Sequence, residues 1–245
     1  MKIFLSESLV DYQTYTFNYA VYCRQDNEEE TTSIYRKGFL PYRNHTELTT
    51  PHYYLARSLR VNLSEFKPSS ENRRVDRKIQ VLSPQLKVVD KKDFEKNNAF
   101  EQFCLDYVEK RFNGAMTKEH FDYVYNWVYL NKIFVFTTTN DKILGYVFAV
   151  QNSEILHYWF SFYDLQYSGL GKWMMFSVIE WAKNNRLKEV YLGTCYGEKA
   201  MYKIRDFKAL SFFNGNEWST DMKLLKKKCK SDKDFTTDDF KQNIG

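Results

Sequence analysis

The segment Gln166 to Gly171, which reads Gln-Tyr-Ser-Gly-Leu-Gly, has residue types and spacing suited to holding phosphate groups. Its two glycines let the backbone turn sharply and approach a ligand closely. A predicted helix follows, and the first N–H groups of a helix are unpaired and lie at its positive dipole end. A tight helix start that binds nothing would look the same. We predict a pyrophosphate site formed by Gln166, Gly169, Leu170, Gly171 and Lys172.

The composition is that of a folded protein. The 245 residues are 43% hydrophobic and 18% aromatic, which excludes intrinsic disorder, and no run of eighteen apolar residues is available to span a membrane. The four cysteines lie far apart without a C-x-x-C pair, so we predict neither a disulfide framework nor a metal site. Residues 1–10 lack the features of a secretory signal, and we expect a cytoplasmic protein.

The hydrophobic pattern predicts an α/β (α+β) fold in which helices and strands position the glycine segment. Residues 1–90 are expected to form a β-rich basic subdomain, with a hairpin or meander over 12–42, a strand over 53–63 and a capped helix start at 68–70. Residues 91–228 have the predicted order αα-βββ-α-β-α. Its strands are predicted at 133–138, 143–151, 155–162 and 189–194, and its helices at 93–112, 119–129, 169–183 and 197–204. Residues 223–230 and the tail 229–245 are expected to be flexible.

At this point the chain resembles the GNAT acyltransferase superfamily, whose pyrophosphate loop reads [Q/R]-x-x-G-x-[G/A]. Residues 200–207 also resemble that family's A-x-Y-x-x-x-G-F segment, except that Asp206 stands at the glycine. The resemblance implies a mixed, mostly antiparallel sheet flanked by helices. It also implies that Tyr202 protonates the leaving group, and that the splayed strand at 158–162 supplies oxyanion-binding N–H groups.

A narrower resemblance extends over residues 37–207. Residues 58–75 look like the "LRV…F.PS…RR" segment of arginyl-tRNA-protein transferases and bacterial leucyl-tRNA-protein transferases, and residues 191–203 look like their "YLG…K..YK" segment. This resemblance implies charged tRNA and a protein or peptide N-terminus as partners, with Tyr191, Tyr196 and Lys199 contacting substrate. The chain lacks the cysteine cluster of those transferases and keeps a glycine loop that they generally lack.

Amine acylation requires a neutral amine, and two side chains near the splayed strand are candidate bases. Histidine titrates close to neutral pH, so we predict that His157, with Glu154 beside it, assists deprotonation of the acceptor. A buried histidine that is hydrogen-bonded to the backbone is the alternative.

The segment 57–78 is rich in arginine, although the chain as a whole is rich in lysine. Guanidinium groups pair well with phosphates and carboxylates, so this segment suits tRNA or an acidic N-terminal residue. The alternative is a solvated charged surface. The candidate substrate-binding residues here are Arg57, Arg60, Arg73 and Arg74.

The sequence therefore predicts an acyltransferase that moves arginine or a similar amino acid from charged tRNA to a protein N-terminus, with no further cofactor. One alternative is an N-acetyltransferase that uses acetyl-CoA, and another is a non-catalytic RNA-binding module. The sequence leaves the oligomeric state open.

Overall fold

The computed structural model describes residues 1–11, 16–42, 50–112 and 116–232, and this part of the chain forms twelve strands and seven α-helices. The strands are β1 (Lys2–Asp11), β2 (Thr16–Arg24), β3 (Phe39–Pro41), β4 (His52–Leu55), β5 (Ser58–Asn62), β6 (Pro84–Asp90), β7 (Lys132–Thr138), β8 (Ile143–Gln151), β9 (Ile155–Tyr163), β10 (Glu189–Thr194), β11 (Leu210–Phe213) and β12 (Trp218–Ser219). The helices are α1 (Thr31–Arg36), α2 (Ser70–Gln80), α3 (Asn98–Phe112), α4 (Lys118–Tyr125), α5 (Leu170–Asn184), α6 (Met201–Asp206) and α7 (Met222–Ser231).

The strands form two sheets. The larger sheet has the order β12-β11-β5-β10-β9-β8-β7-β6, and the smaller one has the order β1-β2-β4-β3. Every neighbouring pair is antiparallel except β9 and β10, which are parallel and are joined by the crossover helix α5. This topology confirms the predicted α/β fold with a mixed, mostly antiparallel sheet flanked by helices.

Two hydrophobic cores lie on opposite faces of the large sheet. On one face, α2 and α5 pack with residues such as Val75, Ile79 and Leu170. On the other face, α1, α3, α4 and the small sheet pack with residues such as Tyr35 and Phe100. Burial of these apolar surfaces holds β9 and β10 at the centre of the domain.

The predicted start of α2 is confirmed, and its cap explains where the helix begins. The Ser69 hydroxyl accepts a hydrogen bond from the Asn72 N–H at 3.0 Å, and the Asn72 side-chain oxygen accepts one from the Ser69 N–H at 2.9 Å. These two bonds satisfy N–H groups that would otherwise have no partner. The Ser69 hydroxyl also donates to the Asp206 carbonyl at 2.7 Å, which fixes this end of α2 beside α6.

Two predictions for the amino-terminal region are wrong. The single strand expected over 53–63 is two strands, because the chain leaves the small sheet after β4 and enters the large sheet at β5, between β10 and β11. The meander expected over 12–42 contains α1, whose Ile34 and Tyr35 are fully buried against the large sheet. Tertiary burial outweighs the β-propensity of this segment.

The lysine-rich segment 223–230, expected to be flexible, lies within α7. Leu225 and Cys229 are four residues apart on one side of this helix and are completely buried. Residues 233–245 of the predicted tail lie outside the described residues. The domain boundary at residue 90 remains a prediction, and both β5 and β6, which precede it, belong to the large sheet.

Candidate active site

Strands β9 and β10 pair over only three positions and then separate. The last parallel pair is His157 with Tyr191, after which β9 continues to Tyr163 and β10 to Thr194 without pairing. On its other side, β9 has a bulge at Trp159, because Tyr158 and Phe160 face consecutive residues of β8. The separation leaves backbone groups of β9 beyond His157 without a partner on β10, as the splayed strand was expected to do.

Lys203 of α6 contacts β10 where the two strands separate, and the sequence analysis did not single it out. The Cys195 N–H donates to the Arg57 carbonyl on the β5 side at 3.0 Å, so the Thr194 carbonyl of the same peptide unit points away from β5. The Lys203 ammonium donates to the Leu192 and Thr194 carbonyls at 2.6 and 3.0 Å. Burial lowers the pKa of Lys203 to about 8.

A cavity of about 530 Å³ lies along the separated part of β9. Its walls come from β9 between Tyr158 and Tyr163, from α3, from the start of α5 and from α6. Three basic side chains line it, Arg111, Lys172 and Lys199. A site with a mainly apolar wall and several cations fits a donor that carries phosphate groups.

Gly171, the last residue of the glycine segment, and the following Lys172 line this cavity. Gly169 has φ +93°, a left-handed conformation that favours glycine, and it caps the buried first turn of α5. Gly171 lies against the Tyr163 ring, since a Cβ at this position would come within 2.5 Å of Tyr163 Cζ. Among the described residues, the N–H groups of Gly171 and Lys172 have no acceptor, whereas the Leu170 N–H donates to the Tyr167 carbonyl. These two N–H groups are available to an anion.

Of the other predicted loop residues, Gln166 is exposed, and its N–H donates to the Asp164 side chain at 2.9 Å. The Lys172 ammonium pairs with Asp206 at 2.9 Å, and Asp206 is almost completely buried and also accepts hydrogen bonds from Arg205. The residue that stands where the GNAT pattern has glycine therefore ties the start of α5 to the end of α6.

Tyr202 lies in the cavity wall contributed by α6. Its hydroxyl makes no hydrogen bond within the described part of the chain. Burial, with a smaller effect from the neighbouring Tyr163, raises the pKa of Tyr202 well above its usual range, so the hydroxyl keeps its proton at neutral pH.

The two predicted bases lie outside this cavity. His157 is 2% exposed, shares a hydrogen bond of 2.9 Å with the Tyr35 hydroxyl through Nδ1, and has its pKa lowered to about 3 by burial. Glu154 pairs with Arg36 at 2.6 Å and Lys188 at 3.0 Å, and these partners lower its pKa. Glu154 precedes β9, about 13 Å along the strand from Tyr158 at 3.3 Å per residue. The structure does not bring Glu154 to the cavity.

Two predicted substrate-binding arginines have partners that are distant in sequence. Arg57 forms a bidentate pair with Asp232 at 2.7 and 3.0 Å, and its guanidinium lies over the Tyr196 ring. Arg60 pairs with Glu189 at 2.9 Å and lies over the Trp218 ring. Both arginines support the packing around β5.

The remaining predicted contacts are divided between the surface and the core. Arg73 and Arg74 are exposed on α2, where Arg73 donates to the Pro68 carbonyl and Arg74 pairs with Glu71. Tyr191 is buried, and its hydroxyl donates to Glu189 at 3.1 Å. Tyr196 is 46% exposed, and its hydroxyl accepts from the Arg57 N–H. Of the predicted site residues, the cavity brings together Gly171, Lys172, Lys199 and Tyr202.

Several cavity residues escaped sequence analysis, among them Tyr107, Arg111, Tyr163 and Met175. Arg111 is near the end of α3, which is distant from the glycine segment in sequence. Only the fold brings these residues together. Within the described residues no group of three histidine, cysteine or acidic side chains is placed to hold a metal, and no helix has the length and apolarity to cross a bilayer.

Comparison with known proteins agrees with this geometry. Residues 131–208 match the acetyltransferase (GNAT) domain family, and this segment, about a third of the chain, contains β7 to β10, α5 and α6. The matched segment is therefore similar to an acetyltransferase (GNAT) domain. No curated protein matches the chain.

Similar solved structures include L-PGS from Bacillus licheniformis, with 13% identity, a TM-score of 0.45, and coverage of 72% of this chain and 55% of L-PGS. FemX has 9% identity and a TM-score of 0.43, with coverage of 71% and 63%. A GCN5-related N-acetyltransferase from Sphaerobacter thermophilus has 12% identity and a TM-score of 0.34, with coverage of 78% and 56%. The chain thus aligns with less than two thirds of each of these proteins.

Proposed function

We propose that the protein transfers an amino acid from aminoacyl-tRNA to the amino group of a protein or peptide N-terminus, with arginine as the first donor to test. The observation that favours a tRNA donor is the position of α2. Arg73, Arg74, Arg77 and Lys78 are exposed on this helix, which packs directly on α5 beside the glycine segment.

Specific contacts fix α2 in this position. A Cβ on Gly169 would lie 3.6 Å from Val75 Cγ1, and the Trp173 indole N–H donates to Asp76 at 2.9 Å. The exposed cations of α2, from Arg73 to Lys78, therefore span about 7.5 Å of the helix at 1.5 Å per residue, next to the start of α5. A small donor needs only the glycine segment to bind. A polyanion such as tRNA gains additional binding free energy from the exposed cations of α2.

The proposed reaction is an aminolysis in the cavity. The neutral amine nitrogen attacks the ester carbonyl carbon, and a backbone N–H of β9 beyond His157 stabilises the oxyanion that forms. The bond to the ribose oxygen then breaks, the leaving oxygen takes the proton of Tyr202, and the proton lost by the new amide returns to Tyr202 through water. Burial keeps Tyr202 protonated before this step. His157, buried and with a pKa of about 3, stays neutral beside the gap.

The test measures transfer of labelled arginine from charged tRNA to a set of peptides with different first residues. Wild-type protein should label at least one peptide. The double variant Arg73→Ala/Arg77→Ala should raise the KM for tRNA. In a plot of the logarithm of this KM against the logarithm of the salt concentration, the slope should be smaller than that of the wild type by about two. A matched control, Lys226→Ala/Lys227→Ala, removes two exposed charges from α7 and should change neither. Absence of transfer from any charged tRNA would refute the proposal.

One observation favours acetyl-CoA as an alternative donor. The unpaired N–H groups of Gly171 and Lys172, next to the left-handed Gly169, suit the pyrophosphate of coenzyme A. Under this alternative the chain is an N-acetyltransferase, and Gly169→Glu should abolish acetyl-CoA binding in calorimetry. Binding that is unchanged in this variant would exclude coenzyme A from the loop.

A further inference from the structure

Two of the four cysteines lie in contact, although they are 34 positions apart in the sequence. Cys195 follows β10 and Cys229 is in α7, and their sulfur atoms are 3.8 Å apart. The Cys229 sulfur also lies 3.5 Å from the main-chain carbonyl oxygen of Cys195. Both side chains are completely buried. The fold therefore creates a thiol pair that the spacing of the cysteines in the sequence does not indicate.

The segments that carry these two thiols are joined at a second point. Asp232, at the end of α7, accepts a hydrogen bond from the Gly197 N–H at 2.7 Å. The same carboxylate forms the bidentate pair with Arg57, which precedes β5. These contacts fix the backbone beside each cysteine, so the two sulfur atoms remain neighbours as long as α7 is docked.

A disulfide bond between the two sulfur atoms requires a small movement. The bond is about 2.05 Å long, so the atoms must approach each other by about 1.8 Å. Rotation about the Cα–Cβ bonds moves the sulfur atoms while the backbone stays in place. The bond would join two chain segments that already pack together, because the Cys229 side chain reaches the main chain of Cys195.

The other two cysteines provide a comparison within the same chain. Cys23 and Cys104 are also free and buried, and burial raises the pKa of both thiols. Within the described residues, neither forms a hydrogen bond with another thiol. Burial is therefore common to all four cysteines, whereas contact with a second thiol distinguishes Cys195 and Cys229.

The helix α7 controls access to the thiol pair. Of its ten residues, Leu225 and Cys229 are the buried ones, and the rest of its surface is rich in lysine. A helix that buries so few side chains opens at a lower free energy than the core of the large sheet. While α7 is docked, burial raises the pKa of Cys195 to about 12 and keeps this thiol unreactive. Opening of α7 removes that burial and lets the thiols ionise.

We propose that Cys195 and Cys229 form a redox modification site, at which a peroxide converts the thiol pair to a disulfide that locks α7 to the segment after β10. With hydrogen peroxide, one thiol attacks an oxygen atom, the O–O bond breaks, and a sulfenic acid and water form. When α7 docks again, the second thiol attacks the sulfenic sulfur, the S–S bond forms and a second water leaves. The two thiols lose two electrons to the peroxide, and their two protons leave in the water. A thiol reductant reverses the modification.

The lock acts beside the cavity of the candidate active site. The segment after β10 leads to Lys199 and Tyr202, which line that cavity, whereas neither cysteine is in its wall. The disulfide would therefore restrain this segment without occupying the cavity. The inference does not rest on the proposed function, since the bond forms without a donor or an acceptor.

The test treats reduced wild-type protein with hydrogen peroxide, alkylates the remaining thiols in denaturant, and maps the peptides by mass spectrometry. We expect a single disulfide, which joins Cys195 to Cys229, while Cys23 and Cys104 are alkylated. Dithiothreitol added after the peroxide should return all four cysteines to the alkylated form. Absence of this disulfide would overturn the inference, and so would disulfides that join the four cysteines indiscriminately. The measurement needs no variant that has to fold.

Thermal unfolding provides the second measurement. A disulfide between residues 34 positions apart should raise the Tm of the peroxide-treated wild type by at least about 5 °C. Cys229→Ala removes one thiol of the pair and should show no such rise. The matched control Cys104→Ala removes another buried thiol and should keep the rise. An equal rise in Cys229→Ala, or no rise in the wild type, would overturn the inference.

Discussion

Replacement of Tyr202 by Phe tests whether this hydroxyl donates the proton to the leaving group. The change removes one oxygen and keeps the ring that forms part of the cavity wall. The hydroxyl makes no hydrogen bond within the described residues, so its loss leaves no partner unsatisfied. The free energy of unfolding should therefore change by less than about 0.5 kcal/mol.

The effect on the reaction should be far larger than the effect on stability. A positioned general acid contributes about 100- to 10,000-fold to a rate, or about 3 to 5.5 kcal/mol at 1.36 kcal/mol per factor of ten. Because burial raises the pKa of Tyr202 above its usual range, the wild-type hydroxyl remains protonated throughout the range where the acceptor amine loses its proton. The wild-type kcat/KM should therefore rise with pH up to about 8, the usual pKa of an α-amino group, and then stay level.

The assay is transfer to a peptide under single-turnover conditions, with the donor in excess of its KM. The control is Tyr146→Phe, which makes the same chemical change in another buried tyrosine. Burial raises the pKa of Tyr146 to about 12, but its ring packs against Phe100 and Phe103, away from the cavity. We expect Tyr202→Phe to lose at least 100-fold in rate and Tyr146→Phe to stay within about threefold. Retention of more than a third of the wild-type rate by Tyr202→Phe would refute its role as the acid.

Two further substitutions test the geometry around β9 and β10. Gly171→Ala forces a methyl group against the Tyr163 ring and should weaken donor binding at least tenfold in calorimetry. The better helix propensity of alanine, about 1 kcal/mol, should offset part of the loss of stability. Unchanged donor affinity would contradict the close contact between Gly171 and Tyr163. Lys203 has a lower pKa folded than unfolded, so between pH 8 and about 10 the unfolded chain holds one more proton, and stability should rise by up to about 1.4 kcal/mol per pH unit. Urea unfolding of Lys203→Met should lack this rise, and parallel pH profiles for the two proteins would show that Lys203 is not desolvated.

The sequence predicts well those elements whose pattern is local. β7, β8, β9, α5 and β10 follow from strand alternation, helical periodicity and turn residues, and they are found within a few residues of their predicted limits. The helix start at Ser69 is predictable because its cap uses residues three positions apart.

Other elements depend on contacts that no local pattern records. The chain changes sheets between Leu55 and Ser58 without a glycine or proline to signal the break. β6 is an edge strand whose partner, β7, lies more than forty residues later, and the sequence analysis did not identify it. In α7, the high lysine content obscures the apolar pair Leu225 and Cys229, although their four-residue spacing is a helical signal.

The candidate site likewise contains residues that a local pattern predicts and residues that only distant contacts bring together. The glycine segment and Tyr202 are recognisable because each lies in a short sequence motif. From the sequence we predict that Arg57 and Arg60 bind substrate, because few acidic residues are near them in the chain. In the structure they pair with Asp232 and Glu189, which are more than 120 residues away. Lys203 is adjacent to Tyr202 in sequence, but nothing in the local pattern predicts that its ammonium group donates to the Leu192 and Thr194 carbonyls of β10.

The most direct test of the proposed function offers both donors at once. Wild-type protein is mixed with arginyl-tRNA, acetyl-CoA and a set of peptides with different first residues, and mass spectrometry identifies the group added to each peptide amine. We predict an arginine adduct that is absent when uncharged tRNA replaces arginyl-tRNA. An acetyl adduct without arginine, or a set of unmodified peptides, would contradict the proposal that this protein uses aminoacyl-tRNA.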